Sequence, residues 1–305
     1  MIAVRDEVAV HRGVMFKPVD KYEHITVAPV TAHIGAEIGG IEVGILDKSI
    51  LSEIHMALMR YQVIFFRDQE IEPPQFAAFA RQFGCLRKAR KAAFELLEGA
   101  PEVAVLANDE ERPPNVNHYH PDGIFRDEPE FASILHAQEV PNYGGDTIFV
   151  SMTAAYEALS DEMKAYIENK TATQDFMKLH GSPQKKRSWK GDNAKRMAAM
   201  AKDHPPVSHP MVRAHPVTGA KSLYVSESFT SHIDGVDRLE SDEKLLELYR
   251  HYERPEFQCR FRWKDYSIAF WDNRATLHYA VADYWPAKRL MNRMTIETDA
   301  IGCGL

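Results

Sequence analysis

The sequence predicts an α+β, mainly β protein, built on an antiparallel sandwich or barrel with helices beside it. Three observations carry that reading. Strand-like runs dominate the second half of the chain, and helical periodicity clusters near its start. Neither a GxGxxG nor a P-loop pattern is present to suggest a parallel βαβ fold. The 305 residues suit one large domain or two small ones, enough to bury a substantial core.

Val27 to Gly44 reads as strand-rich, broken by Gly35, Gly39, Gly40 and Gly44. Asp47 is placed to cap a helix from Lys48 to about Arg60, with Leu51, Ile54 and Leu58 on one face. The apolar run Val63-Ile64-Phe65-Phe66 predicts a buried strand. A second helix opens at Pro73 or Pro74, carries Phe76, Phe79, Ala80 and Phe83, and stops at Gly84. Strands are expected at Val103–Leu106, Phe131–Ala137 and Thr147–Val150. Two short helices follow, Ala154–Leu159 and Glu162–Ile167, with Ser160 as a cap between them. Phe176 to Val207 shows no strong period, holds many lysines and arginines, and reads as a lid or insert. Then come a strand at Ser222–Val225, a helix at Ser241–Glu253, and strands at Phe257–Trp263, Ser267–Trp271 and Leu290–Ile296.

Composition narrows the function classes. With 45% hydrophobic and 27% charged residues, the chain has ordinary globular composition. A formal net charge of −7 disfavours general nucleic-acid binding. No run approaches the ~18 apolar residues of a membrane span, and no signal-peptide pattern opens the chain. Three scattered cysteines, Cys85, Cys259 and Cys303, point to a reducing, cytoplasmic setting.

The chemistry sits in Asn117-His118-Tyr119-His120-Pro121-Asp122-Gly123 and, far downstream, in Trp271-Asp272-Asn273-Arg274-Ala275-Thr276-Leu277-His278. On an extended segment, residues two apart share a face, so His120 and Asp122 can serve one ion. Two imidazoles and one carboxylate form the facial triad of non-haem Fe(II) sites, which leaves positions open. Any of the 14 histidines is formally the third ligand, and a His-x-Asp step also arises by chance. Two other readings stand open here: His118 and His120 as a pair around a metal, and His118 as a solvated loop residue.

The company of that step carries a resemblance. Ile34-Gly35-Ala36-Glu37-Ile38-Gly39-Gly40 comes first, then Val63 to Arg67 with Phe83-Gly84, then His120 and Asp122. Gly144-Gly145-Asp146-Thr147, His209-Pro210 with His215-Pro216, and Trp271 through His278 to Arg289 and Arg293 follow in order. Over roughly residues 25 to 298 the chain resembles the taurine dioxygenase and 2,4-dichlorophenoxyacetate dioxygenase family of Fe(II)- and 2-oxoglutarate-dependent enzymes. The resemblance implies a double-stranded β-helix (jelly roll) core with flanking helices. It implies an N-terminal extension over 1–24 and one dioxygenase domain over 25–300, with its lid around 176–207. It places His120, Asp122 and His278 on Fe(II), and the far carboxylate of 2-oxoglutarate on Arg289 with the Thr147 hydroxyl. A guanidinium suits that carboxylate, because it offers two parallel donors.

Arg293 lies four residues beyond Arg289, on the same strand face, and in the family commonly meets the acidic group of the substrate. Asn117 falls near the family's substrate asparagine. Arg90, with Arg87, Lys88 and Lys91, stands where a substrate loop is expected. That loop lacks the His and Tyr that hold taurine, so another small anion is expected: a carboxylate, sulfonate, sulfate or aryloxyalkanoate. The reaction implied is hydroxylation with O2, releasing succinate and CO2, by a dimer or tetramer. A zinc hydrolase using the same His/Asp/His site is the alternative, but it leaves Thr147 and Arg289 without a role. A non-catalytic jelly-roll binding protein is a third, and it leaves an intact ligand set unexplained.

Overall fold

Val63 to Phe66 (β3) is apolar at every position because both of its faces are buried. Side chains alternate along a strand. Val63 and Phe65 face one core and Ile64 and Phe66 another. Ile268–Asp272 (β14) repeats the pattern: Ile268 and Phe270 join the second core, Ala269 and Trp271 the first. The computed structural model describes residues 22–88, 95–97, 99–180 and 192–301.

These strands belong to an eight-stranded sheet in the order β1-β2-β3-β14-β6-β16-β5-β4. The remaining members are Thr26–Pro29 (β1), Ala36–Gly39 (β2), Glu95–Leu97 (β4), Ala100–Asn108 (β5), Ala132–Glu139 (β6) and Arg289–Ile296 (β16). Only β2 and β3 run parallel; the other pairs in this sheet are antiparallel. A smaller antiparallel sheet joins Gln258–Phe261 (β13), Thr147–Ser151 (β7) and Thr276–Ala280 (β15).

The two sheets meet across one core. Phe65 stacks on Phe261 with ring centres 4.0 Å apart, and Phe149 tilts against Trp271 at 5.5 Å. Each fully buried side chain of this size contributes roughly 1.5–3 kcal/mol, so facing apolar sides suffice to hold the sheets together. Helices cover the outer faces. Lys48–Tyr61 (α1) and Pro73–Arg81 (α2) lay Ile54, Leu58, Phe76 and Phe79 on the large sheet. Met152–Glu157 (α3), Asp161–Ile167 (α4) and Arg238–Tyr252 (α7) pack Met152, Met163 and Leu248 beside the small one. The fold is thus mainly β with flanking helices.

Several elements differ from the sequence reading. Phe176–His180 (α5) and Asp192–Asp203 (α6) are helical where the sequence reading finds no strong period. Arg238, not Ser241, begins the long helix, because Asp237 caps it by accepting from the Leu239 amide. Ser241 is buried instead and accepts from the Ile233 amide. Thr171–Gln174 (β8), Val207–Pro210 (β9) and Thr230–Ile233 (β12) form a third sheet, and Val212–Ala214 (β10) pairs with Lys221–Leu223 (β11). Thr276–Ala280 (β15) is a strand where the sequence reading places none, and His278 lies inside it.

The β14–β15 turn is pinned by a buried charge network. Asp272 accepts from Arg274 Nε at 2.9 Å and from His215 Nε2 at 3.0 Å. Arg274 also donates to Asp299 at 3.0 Å, and Asp299 meets His55 Nε2 at 2.8 Å. Removing Asp272 leaves Arg274 paired with Asp299 but takes the acceptor from His215 Nε2 and from the Arg274 backbone amide. Asp272→Ala is therefore expected to destabilise the protein by about 1–3 kcal/mol, read as a lower denaturant midpoint. An unchanged midpoint would show that the network is solvated.

Candidate active site

Residues His120 and His278 are far apart in sequence but bonded backbone to backbone. The His120 amide donates to the His278 carbonyl at 3.0 Å, and the reverse bond is 2.9 Å. His120 thereby extends the small sheet beside β15, while Phe149 of β7 pairs with His278 on the other side. Asp122 is two residues further along. Ligand-type atoms of His120, Asp122 and His278 all lie within 4.8 Å of one another, a grouping able to hold a metal ion.

Each side chain is oriented by neighbours. His120 Nδ1 is 2.9 Å from the His118 carbonyl, which makes Nδ1 the donor and leaves Nε2 its lone pair. His118 itself is not part of the cluster. His278 Nε2 lies 4.0 Å from Asp122 Oδ1. The ring is held between Trp271 and Phe149, and its buried Nδ1 has no hydrogen-bond partner among the described residues. Asp122 Oδ2 accepts from Ser133 Oγ at 2.7 Å and from Arg293 Nη2 at 2.8 Å.

Burial, then the facing His278, pushes His120 down to about 3; burial also pushes His278 down to about 4. For Asp122, burial resists ionisation. The Arg293 guanidinium, both imidazoles and the Ser133 hydroxyl outweigh it and hold the carboxyl well below the usual range. At neutral pH the site therefore offers two neutral imidazoles and one carboxylate, the protonation state a cation requires.

His136, within β6, is also pushed down to about 4 by burial. All three imidazoles stand below the ordinary 6.5. The unfolded chain then binds more protons as pH falls below 6.5. Stability is full above that value and declines towards pH 4, by up to ~1.4 kcal/mol per pH unit for each imidazole. The metal-free protein is expected to melt lower at pH 5 than at pH 7.5. A midpoint that stays level or rises on acidification would contradict the burial.

The triad opens into a cavity of about 880 Å³ that also receives Thr147, Arg289 and Arg293. Arg289 opens β16 and is 6% exposed. Its guanidinium carbon is 5.8 Å from the Trp263 ring centre and 5.9 Å from that of Tyr284. Burial lowers its pKa, with Tyr284 and Asp146 opposing. Its Nε has no hydrogen-bond partner, and no carboxylate lies within ion-pair distance among the described residues. A buried charge is ordinarily paired, so this cavity is built for an anion. Thr147 Oγ1 accepts from Trp263 Nε1 at 2.9 Å, which leaves its own proton free to donate. Gly145 must be glycine here: its φ is +69°, and a Cβ would stand 3.1 Å from Tyr284.

Other expected residues are placed differently. Asn117 is exposed and does not line the cavity; Asn115 and Val116 do. Nothing in the irregular run Pro113 to Asn117 marks which residue turns inward. Arg90 and Lys91 lie outside the described residues. Arg87 is occupied by Glu130 at 2.8 Å and Glu297 at 2.9 Å. Lys88 is exposed and lines a smaller cavity of about 170 Å³, which shares His120, Asp122 and Arg293 with the larger one. His209 bonds the Arg126 carbonyl and His215 bonds Asp272, so both act in the scaffold. Trp263 and Ser133 were not anticipated. Ser133 is a lone hydroxyl in an apolar strand, a signal that was readable.

The profile of the family described as "Taurine catabolism dioxygenase TauD, TfdA family" matches residues 26–295. The chain belongs to this family. An alpha-ketoglutarate-dependent sulfate ester dioxygenase of Pseudomonas putida is 31% identical over 89% of this chain and 89% of its own. The alpha-ketoglutarate-dependent 2,4-dichlorophenoxyacetate dioxygenase of Cupriavidus pinatubonensis is 31% identical over 84% and 91%. Among solved structures, a taurine dioxygenase from Burkholderia xenovorans superposes with a TM-score of 0.77 at 35% identity, covering 91% and 90%. The protein is thus a dioxygenase that uses Fe(II), 2-oxoglutarate (alpha-ketoglutarate) and O2, and an oxidoreductase rather than a zinc hydrolase. Among the described residues, no helix is long and apolar enough to cross a membrane.

Proposed function

We propose that this dioxygenase hydroxylates a small anionic organic substrate in the 880 Å³ cavity, with His120, Asp122 and His278 holding Fe(II). The observation that carries the reading is Arg289, a buried guanidinium in the same cavity as the triad, with no carboxylate partner among the described residues. It receives the far carboxylate of 2-oxoglutarate, and the Thr147 hydroxyl adds a neutral hydrogen bond. The bound metal, with 2-oxoglutarate and O2, supplies an oxidant that replaces a C–H hydrogen by hydroxyl, releasing succinate and CO2. The chain's own part is to fix the cosubstrate at one end, orient the substrate and keep water out. We assign the two facing sheets to a jelly-roll core, within one domain over 25–300.

Arg293 is the substrate-side cation. It borders both cavities and stands on the same face of β16 as Arg289. Leu106, Leu135, Pro113 and Val116 add an apolar wall suited to a carbon chain or ring. These features, with relatives named for sulfate esters and 2,4-dichlorophenoxyacetate, favour a sulfate, sulfonate or carboxylate on an organic body. The test is anaerobic addition of Fe(II) and 2-oxoglutarate, followed by a screen for succinate release. A weak visible charge-transfer band and succinate formed only with a small anion are expected. No band, and no succinate from alkyl sulfates, sulfonates, aryloxyalkanoates or taurine, would sink the proposal.

A further inference from the structure

We propose that Ser133, braced by Asn273, is a positioning residue for the Asp122 carboxylate, fixing Oδ1 as the oxygen presented to the metal. This rests on the reading of His120, Asp122 and His278 as metal ligands. Ser133 lies in the middle sheet strand β6 and is fully buried, paired across to Trp271 and Thr295. A buried hydroxyl needs a partner, and alanine would pack there without that need. It donates to Asp122 Oδ2 at 2.7 Å, and it accepts a longer bond from Arg293 Nη2 at 3.4 Å.

Asn273 sets the direction of that bond. Its Nδ2 donates to Ser133 Oγ at 3.2 Å, which occupies an acceptor site on the hydroxyl and turns its proton towards Asp122. Asn273 is itself 3% exposed, and its amide donates to the Phe131 carbonyl at 2.9 Å. Oδ2 therefore takes one donor from Ser133 and one from Arg293, while Oδ1 faces His278 Nε2. The two donors are not equivalent. Arg293 is partly exposed and borders both cavities, within reach of an incoming anion. Ser133 is sealed in the sheet. When a substrate anion draws on Arg293, Ser133 keeps Oδ2 occupied and the carboxylate does not turn.

The experiment is an anaerobic Fe(II) titration of the full chain, followed by the 2-oxoglutarate charge-transfer band, with metal-free melting recorded alongside. Ser133→Ala is expected to raise the Kd for Fe(II) about tenfold or more and to shift the band, with metal-free melting close to wild type. Ser133→Thr keeps the hydroxyl and is expected to restore both. In an Asp122→Asn background, Ser133→Ala should add nothing, since the partner charge is already gone. Equal Fe(II) affinity and an unshifted band in Ser133→Ala would overturn the inference while leaving the ligand assignment intact. The same loss with and without Asp122 would overturn it too. A wild-type chain that takes no Fe(II) would overturn the ligand reading itself.

Discussion

Asp122→Ala is expected to abolish 2-oxoglutarate turnover, by more than about a thousandfold, because it removes the one anionic group among the three proposed ligands. His120 and His278 alone offer two neutral donors and no charge to offset a divalent cation. The variant should still fold. Asp122 keeps 13% of its side chain exposed and its partner Arg293 20%, so water can replace the lost ion pair. The expected signature is therefore specific: metal-free melting near that of wild type, Fe(II) affinity lost, no charge-transfer band and no succinate. Near-normal turnover in this variant would refute the triad.

Arg289→Met is expected to act on the other end of the cosubstrate. Truncating one partner of a buried, hydrogen-bonded charge pair costs about 2–5 kcal/mol, which at about 1.4 kcal/mol per decade corresponds to a 30- to several-thousandfold rise in the KM for 2-oxoglutarate. Saturating 2-oxoglutarate should recover much of kcat, since the reacting end of the molecule lies at the metal. Arg289→Lys keeps the charge but loses the two-donor fork and should fall between. Stability should move the opposite way. In the ligand-free protein the guanidinium is buried and no carboxylate pairs with it among the described residues, so a methionine of similar length should melt no lower. A variant that lost stability and left KM unchanged would show Arg289 to be a scaffold residue.

Much of this was legible in the sequence. Val63 to Phe66 announces a strand buried on both faces because every position is apolar. His120 and Asp122 are legible as a pair because period two is a local property. What the sequence hid was tertiary. β15 reads Thr-Leu-His-Tyr-Ala, with too few apolar residues to alternate, and is a strand because β7 lies beside it. The helix Asp192–Asp203 was legible after all: Ala194, Met197, Ala198 and Ala201 recur at helical spacing, and alanine, lysine and methionine favour helix by propensity. The lone state of Arg289 is hidden in principle, since it depends on which carboxylates the fold brings near. Asn117 and Asn115 could not be told apart because no regular element fixes the direction of either.

The paired backbone bonds between His120 and His278 have a consequence for how long the protein lasts. The two segments proposed to carry metal ligands bound a chain loop of about 160 residues, and closing a loop of that length costs entropy that the fold supplies. A metal held across them acts as a reversible staple: it binds the native state, not the unfolded one, and deepens stability in proportion to the logarithm of its free concentration. Iron supply then governs more than turnover. A chain starved of iron opens more often, and what opens more often is degraded sooner.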